Sequence, residues 1–501
     1  MAGVASFGRL LAAGWMLVRA DALLPREADA VYPPGLQLAS RVLRVFSRRE
    51  AKAGRPGERL AAALERMGPV AIKLGQLLST RADIFGSAFA EDLSRLKDRL
   101  APFPTDQARA EIEAALGRPL GDLFTDFAEP TGGASLAQAH LAVLKDGRRV
   151  AVKVLRPGIE RRVARDAETL RLAARLAEAL GGDARRLEPT AFAAIVIRSL
   201  TLELDLRFEG AGASELGEVM ARDGYIRAPA VIWDGVAKRV LTTEWAEGMP
   251  LSEAAAMEQA GLDRPALAVN LIRAFLAQAL DHGVFHADLH EGNLFIAPPA
   301  AITAVDYGIV GRLGVAERRY LAHILYGLIT RDYGRVAQIH FEAGYVPPTH
   351  DIDAFAQALR AVGEPVFGRT VRDVSMGRVL AQLFEITGLF DMRLRPELVL
   401  LQKTMVTVEG VARRLDPDCD IWAAADPVVR RWIARELSPA ARVLDLAEDA
   451  RKALQGLARL ADSPPAAQVV VQAPERGSRL AWFAAGAAIS GLAFLLAVIV
   501  T

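Results

Sequence analysis

The sequence predicts an α+β fold of two lobes, a small β-rich lobe followed by a larger helical one, with a helical extension in front and a membrane helix at the end. Three observations predict it. Short strand-like runs around a glycine pair fill residues 117–156, long helical patterns dominate after residue 251, and residues 480–500 carry no charge. At 501 residues the chain also exceeds what one hydrophobic core usually serves.

The totals narrow the function classes. Hydrophobic residues make up 52% of the chain and mean hydropathy is +0.19, high for a purely soluble protein. Net charge is +1 and the pI is near 7.9, which gives no global electrostatic case for nucleic acid. The single Cys419 excludes a disulfide framework and any cysteine-built metal site, consistent with a reducing, cytosol-facing body.

Residues 1–55 form a basic, partly amphipathic segment. Ten Lys/Arg against five Asp/Glu lie in residues 1–60. The run VASFGRLLAAGWMLVRA is apolar but broken by Arg9 and lacks a cleavage pattern, so it reads as a peripheral membrane helix, with an ordinary packed helix as the alternative. Residues 56–115 read as helices broken at Gly68-Pro69 and closed by Pro102 and Pro104. The β-rich lobe, 116–250, carries DLFTDF, TGGASLAQAHLAVL and VAVKVLRP as strands, then inserted helices, then VIWDGVAKRVLTTEWAEG with strand character. Residues 251–460 form the helical lobe, interrupted over 283–310, and 461–479 read as a flexible tether.

The final segment, 480–500, spans about 31 Å as a helix, the thickness of a bilayer core. Arg476 and Arg479 flank the Trp482 end, which by the positive-inside rule leaves the preceding body in the cytoplasm. Gly486/Ser490 and Ala487/Gly491 have small-xxx-small spacing suited to helix pairing, hence a possible homodimer.

GVFHADLHEGNLF, 283–295, sets an acid at Asp288 and an amide at Asn293 between two histidines. His286 and His290 stand four apart, a spacing that suits zinc, but the Glu that a H-E-x-x-H metalloprotease needs after the first His is missing. Phosphoryl transfer offers the other explanation, an Asp orienting the acceptor and an Asn holding magnesium. Two further parts decide between them. In VAVKV, Ala151 and Lys153 share one strand face, leaving room for an adenine beside a cation aimed at phosphates. In AVDYG, Asp306 follows an apolar strand, thirteen residues beyond Asn293. A phosphate-facing Lys153, catalytic Asp288, and magnesium ligands Asn293 and Asp306 occur in the order of protein-kinase parts. ATP and Mg2+ are the implied cofactors, and His286 becomes a support for the loop.

These residues resemble the UbiB family of atypical kinase-like proteins, which act in ubiquinone biosynthesis. The resemblance runs from about residue 60 to 410 and implies an atypical protein-kinase-like bilobal fold. GPVAIKLGQLLSTRAD is similar to the family's K-x-G-Q signature, with Lys73 and Gln76, and ELDLRFE resembles its E-x-D motif, with Glu203, Asp205 and then Glu209. TGGASLAQAH occupies the place of an alanine-rich nucleotide loop, although Gly132 and Gly133 precede Ala134 and Ser135 here. One carboxylate must neutralise Lys153. Glu209 is the expected partner, with Glu203 and Asp205 meeting the Lys73 segment, and exchange of these assignments stays open. By order along the chain, Glu244 and Trp245 fall where an interlobe hinge presents backbone groups to adenine.

The resemblance implies a membrane-anchored, ATP- and magnesium-dependent kinase or ATPase at a bacterial inner membrane, supporting ubiquinone assembly. Its partners would be membrane lipid and either quinone precursors or quinone-biosynthesis proteins, with no nucleic acid. A protein or small-molecule kinase and a nucleotide-binding scaffold are the alternatives. A quinone hydroxylase finds no dinucleotide fingerprint or oxygen-activating metal cluster in the sequence.

Overall fold

The computed structural model describes residues 2–23, 34–47, 54–79, 87–94, 101–133, 135–179, 188–253, 261–364 and 396–436, together with 96, 386 and 389–392. The expected membrane helix 480–500, the tether 461–479 and Ala134 lie outside the described residues. Among the described residues no helix is long and apolar enough to cross a membrane.

The N-terminal extension is helical. It contains α1 (Ala2–Arg19), α2 (Pro34–Arg44), α3 (Pro56–Met67), α4 (Pro69–Leu78) and α5 (Ser87–Ser94). Leu17, Leu60, Leu64, Ala71, Leu93 and Leu96 bury one another in a cluster of their own. The α3–α4 joint turns at Gly68, whose φ of +106° suits glycine alone, and a Cβ there would also meet the Arg162 guanidinium at 2.3 Å. Two turns on, a Cβ at Gly75 would lie 2.3 Å from Leu96 and 2.7 Å from Leu64, so the bare backbone permits α4 to lie this close to α3.

Helix α6 (Thr105–Leu116) leads into a four-stranded antiparallel sheet, β1 (Phe124–Gly133), β2 (Ala137–Leu144), β3 (Arg149–Leu155) and β4 (Val240–Glu244), in the order β1-β2-β3-β4. Alternation along VAVKV does what period-two patterning dictates. Val150, Val152 and Val154 are fully buried, packing with Phe124, Phe127, Ala142 and Val240 over Ala108 and Ile112 of α6, while Ala151 and Lys153 face the other way. Thus α6, read from the sequence as the end of the extension, belongs to the sheet's core. The glycine pair also differs from expectation. Gly132 and Gly133 do not form a loop but end β1, paired with Ala139 and Gln138.

Between β3 and β4 the chain inserts α7 (Ile159–Ala179), α8 (Pro189–Glu203) and α9 (Leu206–Asp223). Val70 of α4 is buried with Ile159, Val163, Val196 and Leu200, which seats the extension on these helices. After the short β5 (Met249–Pro250), the second lobe is built around α10 (Arg264–Ala277), whose first turn is capped by Asp263 accepting from the Ala266 amide at 3.0 Å. Leu267, Leu271 and Phe275 of α10 are buried at the lobe's centre. The interruption at 283–310 consists of four short strands, β6 (Val284–His286), β7 (Leu294–Ala297), β8 (Ala301–Ala304) and β9 (Val310–Arg312). They pair as β5-β7-β8 and β6-β9. Helices α11 (Val315–Ile329), α12 (Tyr333–Glu342), α13 (Ile352–Gly363), α14 (Pro396–Leu415) and α15 (Ile421–Glu436) complete the lobe. Buried Val408, Val411, Val428 and Val429 bring α14 and α15 into the α10 core.

Candidate active site

Lys153 projects from β3 on the face opposite the valine core. Its ammonium donates to both carboxylate oxygens of Glu209, at 2.8 and 2.9 Å, and lies 3.3 Å from Asp306 Oδ1 across the cleft. Glu209 arrives there because Asp205 caps α9, accepting from the Arg207 amide, and so sets the phase of the helix's first turn. Burial alone would lower the Lys153 pKa, but the charges of Asp306 and Glu209 overcome it and hold the ammonium above its ordinary value. For Glu209 burial wins: its carboxyl is pushed up to about 7, against the pull of Lys153 and helped by the charges of Asp306 and Glu203. Asp306, more exposed, is lowered by Lys153. One cation thus serves two carboxylates.

Asp306 follows β8 with φ +64°, a left-handed conformation that short polar side chains tolerate best. The loop holding Asp288 is tied to this turn through a buried histidine. His286 Nδ1 accepts the Asp288 amide at 3.1 Å, which leaves the proton on Nε2 to donate to the Val305 carbonyl, also at 3.1 Å. Burial lowers the His286 pKa, so the neutral ring that this pattern requires is the favoured form. Tyr307 packs on the ring with centroids 4.9 Å apart. Asn293 adds two more ties, its Nδ2 donating to the Asp288 carbonyl at 3.0 Å and its own carbonyl accepting the Val305 amide at 2.9 Å. Asp288, Asn293 and Asp306 are therefore tied into one hydrogen-bonded unit. Both His286 nitrogens are used inside it, so the histidine pair does not converge on a metal.

Lys73 of α4 is buried and ion-paired with Glu203 at the end of α8, and Ser199 donates to the same carboxylate at 3.3 Å. Asp205 does not meet Lys73. Its carboxylate is held by Arg207 at 2.8 and 2.6 Å, a consequence of its capping position. Gln76 is half-buried on the same helix as Lys73. Ser135 is buried, and Ala151 is half-buried beside Lys153 on β3. At the expected hinge, the Glu244 amide is taken by the Ala230 carbonyl at 2.8 Å and the Trp245 amide by Arg149 at 3.0 Å, so neither donor is offered to a nucleotide.

The sequence matches the ABC1 atypical kinase-like domain over residues 95–340 and the UbiB helical domain over 359–420. It is 41% identical over 396 residues to a protein of Marinobacter nauticus named probable protein kinase UbiB, covering 78% of this chain and 72% of that one. A Pseudomonas putida protein of the same name is 41% identical over 391 residues, covering 77% and 72%. The chain belongs to the UbiB family. The fold is also similar to that of Rv3197 from Mycobacterium tuberculosis, solved in complex with erythromycin, with a TM-score of 0.52 and 21% identity over 70% of this chain and 90% of that one. As a UbiB protein the chain has an atypical kinase-like fold, and its name-bearing relatives imply kinase-like activity.

Three residues of this UbiB site were not read from the sequence. Lys403 of α14 lies 3.8 Å from Asp288 Oδ1, and Thr404 donates to the Ala287 carbonyl at 3.1 Å. Gln278 accepts the His286 amide at 3.0 Å. None of the three stands in a recognisable spacing with the loop it supports.

Proposed function

We propose that this UbiB-family chain is a membrane-anchored atypical kinase or ATPase that uses ATP and magnesium in support of ubiquinone biosynthesis. The observation that carries the reading is the Lys153 ammonium, held by Glu209 and 3.3 Å from Asp306, on the turn that His286 and Asn293 tie to the Asp288 loop. Lys153 would bind phosphate oxygens, and Asp288, about one-third exposed, would orient an acceptor oxygen and take its proton.

Magnesium fits the donor set. Asp306 offers carboxylate oxygens, and Asn293, whose amide nitrogen is spent on the Asp288 carbonyl, has its amide oxygen as the ligand end. Magnesium sites commonly take one or two protein oxygens and draw the rest from water and phosphates, so a full protein cage is not required. When bound, the ion would supply charge neutralisation along the phosphates.

Membrane attachment rests on two segments. Residues 480–500 are long and apolar enough to span a bilayer. At the other end, α1, α2 and the turn after α2 expose Leu11, Trp15, Leu38, Val42, Val45 and Phe46, with Trp15 and Phe46 in ring contact at 5.4 Å, next to Arg41 and Arg44. Aromatic and aliphatic groups beside arginines suit an anionic lipid surface. The site would then face the cytoplasm at the bacterial inner membrane.

The test is ADP and phosphate release by the full-length protein in vesicles, with and without magnesium, quinone precursors and quinone-biosynthesis proteins. Magnesium-dependent release that Asp288→Asn lowers by about 10²–10⁴ is the expected result. Free phosphate identifies an ATPase, and label on an added molecule identifies a kinase. Nucleotide binding without turnover by the wild type would reduce the chain to a scaffold.

A further inference from the structure

The acceptor side of the site carries a charge problem that the parts described so far do not solve. A phosphoryl group in transit spreads negative charge over its oxygens, and here it must approach the carboxylate of Asp288. Lys153, paired with Glu209 and Asp306, would meet the phosphates from the other side of the cleft and leaves the side next to Asp288 without a cation of its own. Among the described residues, two basic side chains approach the Asp288 carboxylate: Lys403 at 3.8 Å from Oδ1 and His290 at 3.7 Å from Oδ2.

Lys403 is the better placed of the two. Its backbone is held next door, since the hydroxyl of Thr404, 1% exposed, lies between the Leu400 carbonyl at 2.8 Å and the carbonyl of Ala287, the residue before Asp288, at 3.1 Å. Buried Leu401 and Val408 fix α14 itself in the core around α10. The ammonium, by contrast, is not locked. At 3.8 Å it makes no hydrogen bond to Asp288, and the side chains of both residues are about one-third exposed. A pair of this kind contributes little to stability. It does place beside the acceptor-orienting carboxylate a cation that makes no side-chain hydrogen bond among the described residues.

We infer that Lys403 is a catalytic residue that binds the oxygens of the transferring phosphoryl group on the acceptor side, opposite Lys153. The inference rests on the phosphotransfer reading above. In the step it serves, the bond between the terminal phosphorus and its bridging oxygen breaks, and the electron pair leaves with ADP. A bond forms from the acceptor oxygen, of water or a hydroxyl, to the same phosphorus. The acceptor's proton passes to Asp288 and then to solvent. Lys403 neither gains nor loses a proton and acts by charge alone.

Lys403→Met keeps the aliphatic stem and removes the charge, and Lys403→Arg keeps the charge. Both are to be compared with wild type in the full-length protein in vesicles, by ATP turnover, thermal stability, and affinity for ADP with and without aluminium fluoride as the phosphoryl mimic. For Lys403→Met, ADP affinity and stability should be unchanged. Turnover at saturating ATP and the affinity gained from aluminium fluoride should both fall by about 10- to 100-fold, as when one preorganised charge contact is lost. Lys403→Arg should recover most of both. Wild-type turnover in Lys403→Met, or a joint loss of ADP affinity and thermal stability, would overturn the assignment and leave the phosphotransfer reading standing. Absence of turnover in the wild type itself would overturn that reading and this inference with it.

Discussion

The carboxylate of Glu203 closes over the ammonium of Lys73 from a helix 130 residues further along the chain. Lys73 is the more buried partner, its side chain 8% exposed against 22% for Glu203, and Ser199 also donates to Glu203. Removing one member of a buried pair leaves the other charge uncompensated, at a cost of about 3–5 kcal/mol. The two members are not equivalent here. Lys73→Ala leaves Glu203 with Ser199 and some water, so its destabilisation should fall below that range. Glu203→Ala strands the better-buried cation and should cost more. Chemical denaturation of both single variants and the double variant measures this, and the double should be less than additive. Additive losses would show that the pair is not a unit.

The E-x-D segment carries a second consequence, through nucleotide binding. Glu203 is near enough to raise the Glu209 pKa, so the Lys73 pair adjoins the Lys153 pair electrostatically. Lys73→Ala should therefore change nucleotide selectivity or turnover as well as stability. Unaltered selectivity and turnover would confine Lys73 to a structural role.

Asp306 and Asp288 should separate by experiment. Asp306→Asn removes a formal charge from the proposed magnesium ligand and from the side of Lys153, so magnesium-nucleotide affinity should drop. Asp288→Asn should spare that affinity and lower turnover by about 10²–10⁴, the usual worth of a positioned acid–base group. Nucleotide titration with and without magnesium distinguishes them, and equal loss of affinity in both variants would contradict the division of roles.

Glu209 gives stability a pH dependence whose sign follows from its shift. Its folded pKa, about 7, lies above the ordinary carboxyl value of 4.5, so between these the folded protein binds more protons than the unfolded chain. This contribution is fully present below about 4.5 and is lost as pH rises through about 7. Glu209→Gln should flatten the slope over that window in denaturation curves taken at fixed ionic strength. An unchanged slope would mean that Lys153 keeps Glu209 ionised throughout, against burial and the charge of Asp306.

What was legible in the sequence followed the reach of local rules. Alternation in VAVKV determines which side of β3 carries Lys153, and short fixed spacings mark the Asp288–Asn293 loop and the Asp306 turn. Asp205 stands directly before a helix, where an Asp caps, and that local demand outweighed the pairing with Lys73 expected for it. Gly132 and Gly133 stand in the place of the family's nucleotide loop, yet pairing with Ala139 and Gln138 carries β1 through both. Lys403 and Thr404 could not be found this way. Thr404 meets Ala287 across 117 residues, and nothing in QKTMV signals which surface of the lobe α14 will cover.

Attachment to lipid should survive in part without the C-terminal segment. If residues 480–500 were the whole anchor, removing 480–501 would free the protein completely. Helices α1 and α2 argue for a second contact, with Trp15 47% and Val45 80% exposed beside a basic rim. Basic residues at an anionic surface contribute about 1 kcal/mol each and are screened by salt, whereas inserted apolar groups are not. The truncated protein should therefore bind anionic vesicles at low salt and less so at high salt, with a residue of binding left. Trp15→Glu combined with Val45→Glu should remove that residue while leaving the buried side of α1, which meets Thr169 through Arg9, undisturbed. Complete solubility of the truncated protein at low salt would assign the whole attachment to the C-terminal segment.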